Sequence, residues 1–246
     1  MADRFYCPDP PVDGLAILGG DEARHLGRVR RVATGEVVEL FDGRGASFQA
    51  EVVALGRDRV ELRVIGPAVS LPPPALALTL ATAVPKGDHF DWLVDKATEL
   101  GVSRLVPIVT ERSVVDPRSA KMDRLRRAVV EAAKQCRRDR LMDLDEPKPW
   151  AKLSRSISAD HRLIAHSGGI PIARVARSIR RGESAALAIG PEGGFSPAEV
   201  EEAEREGWRT VGLGPTVLRV ETAALVASAL LLGLADAGGS GGEGGA

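Results

Sequence analysis

Two short segments hold the residues best suited to chemistry. The first, Gly190-Pro-Glu-Gly-Gly-Phe195, follows the apolar run Ala185 to Ile189 and leads into Ser196-Pro-Ala-Glu199. That continuation offers a helix N-cap, a proline at the first helical position and a capping-box glutamate. A strand, a glycine loop and a helix start are thus written consecutively. Glycines let a ligand approach backbone N–H and C=O groups closely, which suits reading an adenine edge without side chains; the same letters also suit an ordinary tight turn. No GxxxxGK[ST] loop is present, and no GxGxxG opens a helix after a strand, so a nucleotide P-loop and a Rossmann fingerprint are excluded. The second segment, Leu213-Gly-Pro-Thr-Val-Leu-Arg-Val-Glu-Thr-Ala223, follows a strand expected near Thr210 to Leu213 and opens an apolar helix that ends near Leu234. Its Gly-Pro start demands an irregular loop. Arg219, Glu221 and Thr222 cluster at the mouth of the helix, where polar groups face a ligand or a subunit interface. Equally, Arg219 and Glu221 can pair with each other and Thr222 can cap the helix.

The elements that position these segments follow from periodicity. Ala75 to Ala83 is strand-like, Asp88 to Leu100 places Phe90, Leu93, Val94, Ala97 and Leu100 on one helical face and stops at Gly101, and Arg104 to Val109 is the next strand. Leu125, Ala128, Val129, Ala132, Ala133 and Cys136 form a helical stripe. Arg162 to Ala165, a helix near Ala173 to Arg181 and the strand Ala185 to Ile189 continue the alternation, which predicts a mainly parallel α/β sheet covered by helices. Loops at the carboxyl ends of such strands are where ligands bind. The first seventy or so residues read differently. Short strands at Glu36 to Phe41, Ala46 to Leu55 and Val60 to Ile65, with turns at Asp42-Gly43 and Gly56-Arg57-Asp58, make a small β-rich module. Asp21 is placed to cap a short helix that projects Arg24, His25 and Arg28. Ser70-Leu-Pro-Pro-Pro-Ala75 is a stiff spacer at the boundary.

Composition narrows the class. A chain of 246 residues, 44% hydrophobic and 27% charged, is neither disordered nor collagen-like. It lacks a stretch long enough to span a membrane and an apolar signal-peptide core, so a soluble cytoplasmic protein with no membrane partner is expected. Cys7 and Cys136 lack metal or disulfide spacing, and His25, His89, His161 and His166 show no ligand spacing, so no metal is expected and these histidines default to surface or packing roles. Trp92, Trp150 and Trp208 are read as core residues. The formal charge of -1 hides segregation: residues 112 to 140 contain ten basic residues, including Arg118, Lys121, Arg124 and Arg126, against four acidic ones, Asp116 among them. A second cluster comprises Arg24, His25, Arg28, Arg30 and Arg31. Segregated positive patches hold a polyanion even when the total is neutral, which turns the reading toward RNA or DNA, although a solvated helix face has the same letters.

The residues also resemble a known family. Ile189-Gly-Pro-Glu-Gly-Gly-Phe-Ser196 with Leu213-Gly-Pro-Thr-Val-Leu-Arg-Val-Glu-Thr-Ala223 is similar to the signature pair of the RsmE family, ribosomal RNA uridine-N3 methyltransferases of the SPOUT superfamily. His25-Leu-Gly-Arg-Val-Arg-Arg31, Lys86-Gly with Lys96-Ala-Thr-Glu-Leu-Gly101, Glu111-Arg-Ser113 and Glu131-Ala-Ala-Lys-Gln-Cys-Arg-Arg138 resemble other family segments. Thr216 stands where many members have arginine, and Leu141-Met142 replaces a common Val-Pro. The resemblance implies a SPOUT-type trefoil-knotted, mainly parallel α/β domain over residues 71–236, a PUA-like RNA-binding β-barrel over 1–70, and a disordered glycine-rich tail over 237–246. It implies S-adenosyl-L-methionine as cofactor, held by Ala165, His166 and Ser167, by Ile189, Gly190, Pro191, Glu192, Gly193 and Gly194, and by Leu213, Gly214, Val217, Leu218, Thr222 and Ala223. Methyl transfer to a uracil N3 then assigns Arg219 to the developing uracil anion and Glu221 or Glu192 to the proton. The RNA partner, 16S ribosomal RNA or the small ribosomal subunit, is expected at Arg24, His25, Arg28, Arg30, Arg31, Lys86, Arg112, Arg138 and Arg140. A homodimer is expected because the helix from Ala223 to Leu234, apolar on nearly all sides, needs more cover than one small domain supplies. Two other readings stay open: another SPOUT RNA methyltransferase with a different target nucleotide, and a non-catalytic RNA-binding ribosome-assembly factor.

Overall fold

The structure, a computed structural model, describes residues 3–9, 11–115 and 119–237. The tail beyond residue 237, Asp116 and Arg118 lie outside the described residues, as does the side chain of Lys121. The chain divides into two compact units, Met1–Pro73 with Ala133–Leu141, and Pro74–Ala132 with Met142–Ala246.

The first unit is a curled five-stranded sheet built from β1 (Arg4–Tyr6), β2 (Leu15–Gly19), β3 (Val37–Phe41), β4 (Ala46–Leu55) and β5 (Arg59–Ser70), in the order β1-β3-β4-β5-β2. Only the β1–β3 pairing is parallel. Alternation drives its core: on β2, Ala16 and Leu18 point inward while Leu15 and Ile17 face out. Phe5, Leu26, Leu40, Phe48, Val52 and Leu62 belong to the same buried cluster. The expected Asp42-Gly43 turn is present, and the Asp42 carboxylate accepts the backbone N–H groups of Arg44, Gly45 and Ala46. Asp21 is not a cap. Gly20 turns out of β2 at φ 56°, so helix α1 (Gly20–Arg24) starts before Asp21, which lies in the first turn and pairs with Arg24. The helix widens into a π-helical stretch, His25–Arg30, closed by Arg31 at φ 54°. Ion pairs explain why Ala133–Leu141 counts with this unit. Lys134 reaches Glu22 at 2.9 Å, Arg137 binds Glu39, and the buried Arg4 guanidinium binds Asp139 while stacking 4.4 Å from the Phe41 ring centroid. Burial pulls the Arg4 guanidinium below its ordinary range.

The second unit alternates strands and helices as the periodicity requires. Its elements are β6 (Leu76–Ala83), α2 (His89–Leu100), β7 (Arg104–Val109), α3 (Ser119–Cys136), β8 (Asp143–Leu144), β9 (Lys148–Pro149), α4 (Trp150–Ser156), β10 (His161–Pro171), α5 (Ile172–Ala176), β11 (Glu183–Ile189), α6 (Pro197–Arg205), β12 (Arg209–Gly212) and α7 (Val220–Ala237). The strands make one parallel sheet, ordered β12-β10-β11-β6-β7-β8 with β9 also on β7. Gly101 at φ 97° ends α2 as expected. The last turn of α3 counts with the first unit. Trp150 packs on Phe195 and Trp208, and the Trp208 indole donates to the Ser154 carbonyl. Trp92 departs from the core reading: it lies on the outer side of α2, 49% exposed.

The strand β10 is longer than periodicity suggests because it has two legs. Val211 of β12 registers with Ala165 and again with Ile170, so both legs pair with β12 and residues 166 to 169 form a loop between them. The approach is close enough that a Cβ on Gly169 would lie 2.4 Å from the Val211 nitrogen, and only glycine is tolerated there. The knot that the resemblance implies belongs to this fold type, and periodicity alone cannot foresee it because knots are rare.

Candidate functional site

Parallel strands deliver their loops to one edge, and three of these loops meet. The loop within β10 brings Ala165, His166 and Ser167, the β11–α6 loop brings Ile189, Gly190, Pro191, Glu192 and Gly194, and the β12–α7 segment brings Leu213 to Leu218 with Val220 and Ala223. They enclose a cleft of about 280 Å³. Its walls are backbone and aliphatic side chain, with Glu192 and His166 exposed at the rim. His166 Nδ1 accepts the Gly168 N–H at 3.2 Å, which folds the first loop back. The β11–α6 loop is held by the expected capping box: Ser196 Oγ accepts from the Glu199 N–H, and Glu199 Oε2 accepts from the Ser196 N–H at 2.8 Å.

Glu199 does more than cap. Its other oxygen accepts the Glu111 N–H at 2.9 Å, and the Arg112 guanidinium donates to the Gly193 carbonyl at 2.7 Å. The β7–α3 connection thus braces the glycine loop from outside. A Cβ on Gly193 would face the Arg112 side chain at 3.4 Å, so this glycine lies against the brace rather than in the cleft.

Around the first turn of α7 the chemistry changes. Arg219, Glu221 and Thr222 share a depression with Asp88, His89 and Trp92, the last three from the start of α2, which packs on α7. Glu221 is buried and its Oε1 lies 3.6 Å from His89 Nδ1. Arg219 is exposed and, among the described residues, pairs with no carboxylate, Glu221 included. Thr222 faces solvent inside the first turn of the helix rather than before it. Of the residues expected to hold the cofactor, all but Gly193 and Thr222 line the cleft; of those expected to act on substrate, Arg219 and Glu221 lie in the depression and Glu192 in the cleft. Pro215, Thr216 and Val220 lie within the second segment expected from sequence, whereas Asp88, His89 and Trp92 belong to the depression and had no such expectation. A depression built by two helices far apart in sequence has no local signature.

The expected RNA-binding cations fare unequally. In the first unit Arg24 pairs with Asp21 and Asp58, Arg30 with Asp3, and His25 packs edge-on against Phe5, while Arg28 and Arg31 are exposed with no ion-pair partner among the described residues. Arg140 spends its guanidinium on the carbonyls of Arg44 and Leu71, and Arg138 is half-buried. In the second unit Lys86 is exposed, Arg112 holds Gly193, Arg124 pairs with Asp91, and Arg126 pairs with Asp123 and Glu146. Among the described residues, no group of three or more His, Cys, Asp or Glu is arranged to hold a metal ion, and no helix is long and apolar enough to cross a membrane.

Comparison with known proteins adds an independent line. Residues 72–232 match the family model of the RNA methyltransferase domain, and residues 18–65 match that of the RNA methyltransferase PUA domain. The chain is 32% identical to the ribosomal RNA small subunit methyltransferase E of Bacillus subtilis, over 85% of this chain and 86% of that protein. The Mycobacterium bovis protein of the same name is also 32% identical, over 92% and 90%. The crystal structure of the Neisseria gonorrhoeae protein of that name, bound to S-adenosyl methionine, superimposes with a TM-score of 0.85 at 28% identity, covering 95% of this chain and 98% of that one.

Proposed function

The chain belongs to the ribosomal RNA small subunit methyltransferase E family, and from that membership we propose that it transfers the methyl group of S-adenosylmethionine to N3 of a uridine in 16S ribosomal RNA. The observation that carries this reading is the juxtaposition of an apolar, backbone-walled cleft with a depression holding an unpaired guanidinium and a buried carboxylate. The cleft fits the cofactor: aliphatic walls from Ile189, Leu213, Leu218 and Ala223 suit the flat face of an adenine, and the glycine loop leaves backbone polar groups accessible to its edge. When bound there, S-adenosylmethionine supplies an electrophilic methyl group on a sulfonium.

The protein's own residues supply the rest. A uracil N3 is a nucleophile only after its proton leaves, and Glu221, buried beside His89, is the acceptor. Arg219 stabilises the negative charge that then spreads over the uracil oxygens. Glu221 is preferred to Glu192 because it shares the depression with Arg219, whereas Glu192 lines the cleft. Arg28 and Arg31 of the first unit bind RNA phosphates. The enzyme acts in the cytoplasm as a homodimer, in which the exposed Trp92 and Val226 of the packed pair α2 and α7 find cover.

The test is methyl incorporation into small-subunit RNA followed by mass-spectrometric mapping. N3-methyluridine is expected. A methyl mark on another nucleotide would replace the target, and cofactor binding without incorporation would replace the enzyme with an RNA-binding factor.

A further inference from the structure

The segment between β10 and β11 carries four arginines, Arg174, Arg177, Arg180 and Arg181, and no acidic residue from 172 to 182. Its apolar residues Ile172, Val175, Ala176 and Ile179 recur at helical spacing and are all buried. Helical turns continue beyond α5, since the N–H groups of Arg177, Ser178 and Ile179 donate to the carbonyls of Ala173, Val175 and Ala176. The arginines are thereby forced onto the outer face in a line: Arg174, Arg177 and Arg180 are exposed, with no ion-pair partner among the described residues.

The neighbouring carboxylates are occupied elsewhere. Glu183 accepts from the Arg180 backbone N–H at 2.8 Å and bonds His161 at 2.7 Å, and Asp160 accepts both the N–H and the hydroxyl of Ser184. Within the larger basic run Arg124 and Arg126 differ, since they are neutralised by Asp91, Asp123 and Glu146. Unpaired guanidinia at three-residue steps on one face match a chain of phosphates, each reached by one forked donor. The strip starts directly after Pro171, which registers with Gly212 at the cleft edge of the sheet, and runs to Gly182, whose N–H bonds Ala75 at the start of β6. It therefore descends from the cleft edge to the opposite edge.

We infer that Arg174, Arg177 and Arg180 form a phosphodiester-binding strip that carries the RNA backbone away from the methylation cleft. This rests on the proposed RNA substrate. The experiment compares binding of a 16S ribosomal RNA transcript across salt concentrations for the parent, for the triple variant Arg174→Ala/Arg177→Ala/Arg180→Ala, and for the control Arg124→Ala/Arg126→Ala. Three lost phosphate contacts should reduce the slope of log affinity against log salt by about two units, while the control shifts it by less than about half a unit and cofactor affinity stays unchanged in both. An unchanged slope in the triple variant, with a parent that binds and methylates RNA, overturns the inference alone. A parent that binds the cofactor but no RNA at any salt overturns the substrate reading and this inference with it.

Discussion

On one side of the first turn of α7 the cleft is walled by backbone and aliphatic groups; on the other, the depression is lined by Arg219, Glu221, His89 and Trp92. On the proposed reading the first surface recognises the cofactor by shape and backbone hydrogen bonding, so a single added side chain should be felt as lost affinity. The second would work through individual charges, so a single altered atom should be felt as lost rate. That reading puts binding and chemistry on either side of one helical turn, and substitutions on the two sides should give different kinetic signatures.

The sharpest probe of that separation is Glu221→Gln, which keeps the shape but cannot accept a proton. It should lower kcat about 10²–10⁴-fold with cofactor affinity preserved. Isothermal calorimetry beside a methylation time course reads both, and a variant with parental kcat removes Glu221 from the proton step. Arg219→Ala follows, with a loss of roughly 10²-fold in kcat, again without weaker cofactor binding. On the other side, Ala223→Leu pushes side chain into the cleft and should weaken cofactor binding about tenfold, or ~1.4 kcal/mol; undiminished affinity would place the cofactor elsewhere. Arg112→Ala removes the brace on Gly193 and should raise the cofactor Kd only a few-fold, near the ~1 kcal/mol of one hydrogen bond, without changing the salt slope for RNA. A flattened slope would instead make Arg112 a phosphate contact.

The smallest effect lies away from both surfaces. Burial pushes the Asp145 carboxyl up, but bonds from Arg104 and Lys148 outweigh it and hold it below the ordinary carboxylate range. A lowered folded value means that this stabilisation is fully present above the ordinary pKa of 3.8 and is lost as pH falls through the folded value. Asp145→Asn should cost about 1 kcal/mol at pH 7 and remove that part of the acid sensitivity, as chemical denaturation at pH 7 and pH 3 would read.

How far the letters carry depends on whether the signal is local. The glycine loop, its capping box and the irregular start of α7 were legible because strand ends, turns and caps are written in consecutive residues. The role of Trp92 was not, since helix periodicity does not say that α2 leaves this face uncovered beside Glu221. The basic run from Arg112 to Arg140 shows the same limit. Asp91, Glu146 and Glu39 neutralise Arg124, Arg126 and Arg137 from other elements, and no count of charge along the chain reveals that. The arginines of α5 and of the turns after it could have been found, because four buried apolar residues at helical spacing already assign them to the outside.

The two-legged strand β10 has a mechanical consequence. Because Val211 registers with Ala165 and again with Ile170, β12 is paired with both legs, and losing either one alone leaves it held by the other. The edge of the sheet beside the cleft therefore opens only when both pairings fail together.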